Sequence, residues 1–80
     1  MSSLAIKFDG HAIDVRFTKT ALLLVLADGR EISAPLTWFP KLSAASEKDR
    51  NDWRLIGNGL GVHWPKLDED IAVKTLMQQN

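Results

Sequence analysis

The sequence predicts an α+β fold: an antiparallel β-meander of about four strands plus one short strand, packed with two short helices. Three observations carry this. Through the first half apolar residues alternate with polar ones, which is a strand period. Two Asp-Gly pairs, Asp9-Gly10 and Asp28-Gly29, stand where tight hairpins need positive φ. The second half carries helix-cap chemistry at Ser46 and at Asp68-Glu69-Asp70, with a glycine cluster between.

Leu4, Ile6 and Phe8 alternate with Ala5, Lys7 and Asp9, predicting a first strand that turns at Asp9-Gly10. Ile13, Val15 and Phe17 then mark one face of a half-buried strand, with a turn at Thr18-Lys19-Thr20. Ala21 to Ala27 is apolar at every position, so this strand is expected to be covered on both faces. Asp28-Gly29 returns the chain into Arg30–Leu36, with Ile32, Ala34 and Leu36 on one side.

Pro35 and Pro40 lack the N–H that a ladder needs, so the strand ends or lies at an edge there. Ser46 is the expected N-cap of a helix running to about Leu55, with Asp49 in the capping-box position. Trp53 and Ile56 are expected towards the core, and Gly57 should end that helix in the left-handed conformation. Val62-His63-Trp64 reads as a short strand, able to close the meander on either edge. Asp68 or Asp70 then caps a second helix from Ile71 to about Gln78, burying Val73, Leu76 and Met77. Trp38-Phe39-Pro40-Lys41-Leu42 is echoed by Trp64-Pro65-Lys66-Leu67, two corners that each lead out of a strand.

Composition narrows the function. Eighty residues make a single domain, residues 1–80, and a chain of this size buries only roughly 60–65% of its unfolded surface. A homodimer is an expected way to cover more. Ten basic and ten acidic residues cancel, whereas nucleic-acid binders usually carry a basic excess. With no cysteine, disulfides and thiolate chemistry are excluded. No apolar run is long enough for a signal peptide or a membrane span, so a cytoplasmic protein with no membrane partner is expected.

Catalytic and cofactor motifs are weak throughout. Gly57-Asn58-Gly59-Leu60-Gly61 resembles a phosphate loop in composition. It follows an expected helix and precedes a strand, the reverse of the order that aims a helix N-terminus at phosphate. His63 with Asp68, Glu69 and Asp70 lacks the patterned spacing of a metal loop, and capping explains the acids. His63 alternates with Val62 and Trp64, so it should project from the opposite face and pair with an acid of that run. No serine sits in a nucleophile elbow. Neither enzyme activity, nor a cofactor, nor a metal is expected.

Arg50 and Arg54, one helical turn apart, would form a small basic face with Lys41 and Lys66. Interleaved Glu47, Asp49 and Asp52 favour a solvated, salt-bridged face instead. Of the tryptophans at 38, 53 and 64, at least one is expected to be half-exposed as an interface anchor.

Much of the chain resembles the bacterial family known as domain of unknown function 2442. The resemblance rests on Leu26-Ala27-Asp28-Gly29-Arg30, Pro35-Leu36, Trp38-Phe39-Pro40 with Leu42, then Ala45, Arg50 and Trp53. It continues through Gly57, Gly59, Gly61, His63-Trp64-Pro65 and Leu67-Asp68-Glu69-Asp70-Ile71. Val62 and Ser46 stand where the family pattern has isoleucine and threonine. The resemblance implies a small α+β domain with no established activity. Some relatives look like regulators in which the domain precedes a helix-turn-helix; others are encoded beside a second small protein, as in a toxin–antitoxin pair. Eighty residues leave no room for the helix-turn-helix, so direct transcriptional control is not expected.

These readings converge on a small cytoplasmic protein-interaction module, antitoxin-like in pairing with a neighbouring small protein. A phage-type inhibitor acting by contact and a nucleic-acid-binding regulatory accessory are the alternatives. The residues expected to meet a partner are Trp38, Arg50, Arg54, His63, Trp64, Asp68, Glu69 and Asp70.

Overall fold

The computed structural model describes residues 6–77. Two three-stranded antiparallel sheets face one hydrophobic core. The first contains β1 (Ala12–Phe17), β2 (Ala21–Leu26) and β3 (Glu31–Pro35) in that order. The second contains β4 (Arg54–Ile56), β5 (Gly61–Trp64) and β6 (Glu69–Ala72), also in that order. Two short helices, α1 (Pro40–Ala44) and α2 (Glu47–Arg50), lie between the sheets in sequence, and α3 (Val73–Met77) follows β6.

The first sheet follows its sequence pattern with two corrections. Leu22, Leu24 and Leu26 are fully buried, and cross-strand partners bring Phe17, Val15, Ile32 and Ala34 to the same face. Leu23 and Val25 are only half-buried, among Asp14, Arg16, Glu31 and Ser33. The expected cover on the second face is therefore replaced by an open, largely polar one. In β1 the register slips between Ala12 and Asp14, so Ile13 is the extra residue of a bulge. The bulge puts Ala12 on the face of Val15, three residues away, and turns Ile13 out to solvent.

Among the described residues the expected first strand is not formed: Ile6 to His11 have no strand pairing, and Leu4 and Ala5 lie outside the described residues. Asp9-Gly10 makes no hairpin. The Asp9 carboxylate instead accepts from the His11 backbone N–H at 3.1 Å and from its Nδ1 at 2.6 Å. The Asp9 N–H donates to Asp28 at 2.8 Å, tying this segment to the Asp28-Gly29 turn, which forms as expected with Gly29 at φ 93°.

After β3 a 3₁₀ turn, Leu36–Trp38, leads to Pro40 at the start of α1, where a missing N–H has no consequence. α1 seats Leu42 in the core. Ser46 caps α2 as expected, its Oγ accepting from the Asp49 N–H at 3.1 Å. The helix stops at Arg50 instead of reaching Leu55. Asn51-Asp52 follow, residues whose side chains compete with helical hydrogen bonds. Arg54-Leu55-Ile56 then pair with His63-Val62-Gly61 in register. Ladder pairing overrides the helical reading of this segment, and Ile56 faces solvent. Gly57 does adopt positive φ, followed by Asn58 at φ 58°, but it ends a strand and not a helix.

The acids 68–70 likewise make no helix cap. Asp68 sits at φ 50° in the β5–β6 turn, and Glu69–Ala72 pair along β5 with Ile71 beside Val62. The helix starts only at Val73; Gln78 lies outside the described residues. Val62–Trp64 is thus the centre of a separate sheet, not an edge of the meander. Trp64 closes the core, fully buried, edge-on to Phe17 with centroids 6.4 Å apart.

Gly59 packs against β1 so closely that an added Cβ would lie 2.6 Å from the Ala12 carbonyl oxygen, at a φ of 95°. Gly29 has comparable φ and open space around it. Gly59→Ala should therefore cost well over the ~1 kcal/mol expected of Gly29→Ala. Urea midpoints of the two variants check this; equal losses would contradict the close approach.

Asp28 supplies a pH dependence. Hydrogen bonds from the Arg30 guanidinium lead the causes that hold its carboxyl down to about 2, against burial and with help from the Arg30 and Asp9 backbone. A depressed folded pKa stabilises the protein above the unfolded value of ~3.9. That contribution is lost as pH falls from about 4 towards 2. Urea midpoints across this range should fall less steeply in Asp28→Asn than in the parent.

Candidate functional site

Alternation along β5 divides the second sheet into two faces. Val62 and Trp64 point into the core with Ile71, which forces Gly61 and His63 to the other side. Residues directly opposite share a face, so the outer face has two rows. One is Arg54–His63–Asp70; the other is Ile56–Gly61–Ala72.

In the first row His63 Nδ1 and an Asp70 carboxylate oxygen are hydrogen-bonded across the β5–β6 ladder. This is the pairing that alternation and the acidic run predicted. Asp70 remains two-thirds exposed. Arg54 is exposed and makes no ion pair among the described residues. The row therefore presents a cation on one edge strand, an imidazole in the middle and a carboxylate on the other edge strand.

The second row is apolar. Gly61 lacks a side chain because Ile56 and the Ile71 carbonyl occupy the space where a Cβ would stand, 3.2 and 3.1 Å away. Ile56, Leu60, Gly61 and Ala72 line a shallow hollow of about 250 Å³ that reaches Asp70. A second apolar hollow of about 460 Å³ continues past Leu60 and Ala72 to Met77, Gly10 and His11. Leu60, 60% exposed, stands between the two. Scattered exposed apolar residues are ordinary; these are contiguous and adjoin the charged row.

The expected partner-facing residues thus separate. Arg54, His63 and Asp70 share the outer face. Trp64 is fully buried, its Nε1 donating to the Arg50 carbonyl at 2.8 Å, and it presents no surface. Arg50 is committed inside the fold: Nε donates to the Leu42 carbonyl and a terminal nitrogen to that of Ser43, each at 2.8 Å. Its guanidinium also lies over the Phe17 ring. Asp68 is in the turn, where its carbonyl accepts from Lys41 Nζ at 3.0 Å, and Glu69 lies beside Trp64 in register. Trp38 is exposed elsewhere, against Phe39.

Neither the solvated, salt-bridged face expected on one helix nor the alternative basic face forms there. Arg50 is on α2 and Arg54 on β4, while Lys66 reaches Asp49 at 4.0 Å. Sequence reasoning missed Ile56, Leu60 and Ala72, because it placed Ile56 on a core-facing helix. The usable signal was Ile56 five residues before Gly61, a hairpin spacing around Gly57-Asn58-Gly59. Among the described residues no group of three or more His, Cys, Asp or Glu side chains is placed to hold a metal ion. Nor is any helix there long and apolar enough to cross a membrane.

Comparison with known proteins agrees with this fold. A crystal structure of a protein of unknown function from Rhodospirillum rubrum aligns with a TM-score of 0.70 at 26% identity, covering 84% of this chain and 83% of that one. A solution structure of an uncharacterized protein from Chromobacterium violaceum also gives 0.70, at 20% identity, covering 84% of this chain and 63% of the other. The present chain thus spans less than two-thirds of that second protein, and the likeness there is one of fold. No match is found among curated proteins. The model of the family described as protein of unknown function (DUF2442) matches residues 12–80, and the chain belongs to that family.

Proposed function

We propose that this protein is a protein-interaction module whose contact surface is the outer face of the second sheet with the adjoining Leu60 hollow. The observation that carries the reading is the contiguity of Ile56, Leu60 and Ala72 with the exposed Arg54–His63–Asp70 row. An apolar centre with charged groups at its margin is the anatomy of a transient interface. Fold alone does not specify a partner. The resemblance to relatives encoded beside a second small protein makes an antitoxin-like pairing with such a neighbour the preferred form of this reading. The proposed mode is stoichiometric contact, without catalysis.

Arg50 is committed to the Leu42 and Ser43 carbonyls, Lys41 to that of Asp68 and Lys66 to Asp49, which weighs against the nucleic-acid alternative.

Leu60→Asp tests the reading with little risk to the fold, since the side chain is largely exposed. The tagged parent, captured from its native host, is expected to retain one protein in stoichiometric amount. Leu60→Asp should lower that recovery by about tenfold or more, as for an interface anchor made polar. Recovery of nucleic acid that is lost steeply with salt, or of no specific protein, would overturn the proposal.

A further inference from the structure

The outer face of the second sheet is complementary to itself. Across the strand order β4-β5-β6, the charged row reads Arg54, His63, Asp70 and the apolar row Ile56, Gly61, Ala72. At a strand spacing of about 4.8 Å, the two outer positions of a row lie about 10 Å apart. Consider a second copy laid face to face, related by a two-fold axis parallel to β5. That rotation keeps each row level and exchanges its ends. Arg54 of one copy then stands over Asp70 of the other, and the same contact recurs on the opposite side.

The apolar row obeys the same operation. Ile56 of each copy stands over Ala72 of its mate, and each Gly61 lies beneath its own chain's Ile56. Ala72, exposed beside Leu60, borders the hollow that the opposing Ile56 faces. A two-fold axis along the rows would instead set Arg54 over Ile56 and strand both charges, so the charge pattern selects one arrangement. Isologous contacts of this kind are the common route to homodimers.

We infer that the occupant of this face in the isolated protein is a second copy of the same chain, held by reciprocal Arg54–Asp70 ion pairs beside an Ile56–Ala72 centre. The inference rests on the reading of this face as a contact surface and names its partner. Six residues on three short strands make a contact at the small end of interface sizes, so self-association should be weak, with a Kd of about 0.1 mM.

Charge reversal tests the arrangement without relying on loss alone. The Arg54→Asp variant carries acids at both ends of the row, and the Asp70→Arg variant carries cations at both. Sedimentation equilibrium at up to about 1 mM should show the parent dimerising and each variant monomeric, with circular dichroism confirming that each is folded. An equimolar mixture of the two should associate again, because every contact across the axis then joins opposite charges. Asp70→Asn, which keeps size, and Arg54→Gln, which removes the charge, should each weaken the parent dimer at low salt.

A monomeric parent, a dimer indifferent to these changes, or a mixture that fails to associate would overturn the inference. The host-capture experiment reads separately: a parent that is monomeric yet retains a stoichiometric protein through Leu60 leaves the interaction reading standing and removes the homodimer.

Discussion

Burial of Trp64 is the constraint on which the rest depends. Its indole fills the space between the sheets against Phe17 and donates its one N–H to the Arg50 carbonyl. An unpaired indole N–H in that position would cost about 1–3 kcal/mol, and truncating the ring about 3–5. Those are large shares of the ~5–15 kcal/mol available to a small domain. Arg50 extends the same anchorage by holding the last carbonyls of α1 at Leu42 and Ser43. One buried ring therefore joins β5, β1, α2 and, through Arg50, α1.

The same burial determines what the protein shows to others. On a strand, neighbours point to opposite faces. With Val62 and Trp64 committed to the core, Gly61 and His63 are left to the outer face, Gly61 beneath Ile56, and their ladder partners follow. Arg54, Ile56, Asp70 and Ala72 are exposed because of where their pairs lie, whatever their own hydropathy. The proposed contact surface is in this sense a consequence of the packing behind it.

How much of this could be read from the chain varied with the range of the interactions. The Asp28-Gly29 hairpin, the Ser46 cap and the facing of Leu22, Leu24 and Leu26 are local or periodic features, and they were legible. So was His63 opposite an acid, since it needs only alternation and a nearby carboxylate. Arg54–Ile56 was misread because a three-residue strand has no periodicity of its own; it exists through its pairing with Gly61–His63. Glu69–Ala72 misled for a related reason, as three acids before an apolar residue suit a helix cap equally well. Ile13 and Asp9 were displaced by a bulge and by a side-chain hydrogen bond, neither of which leaves a pattern in hydropathy. Trp64 and Arg50, assigned to the surface from residue type, were claimed by the core.

The central claim is that the face behind Trp64 is where this domain makes its contacts. Dilution of the uniformly ¹⁵N-labelled protein, followed by amide chemical shifts, tests it residue by residue. The account expects concentration-dependent shifts at Arg54, Ile56, Gly61, His63, Asp70 and Ala72, with Asp14, Arg16, Leu23, Val25 and Glu31 on the far sheet unmoved. Shifts confined to that far sheet would contradict it, whereas none at any concentration would remove only the second copy as the occupant of this face.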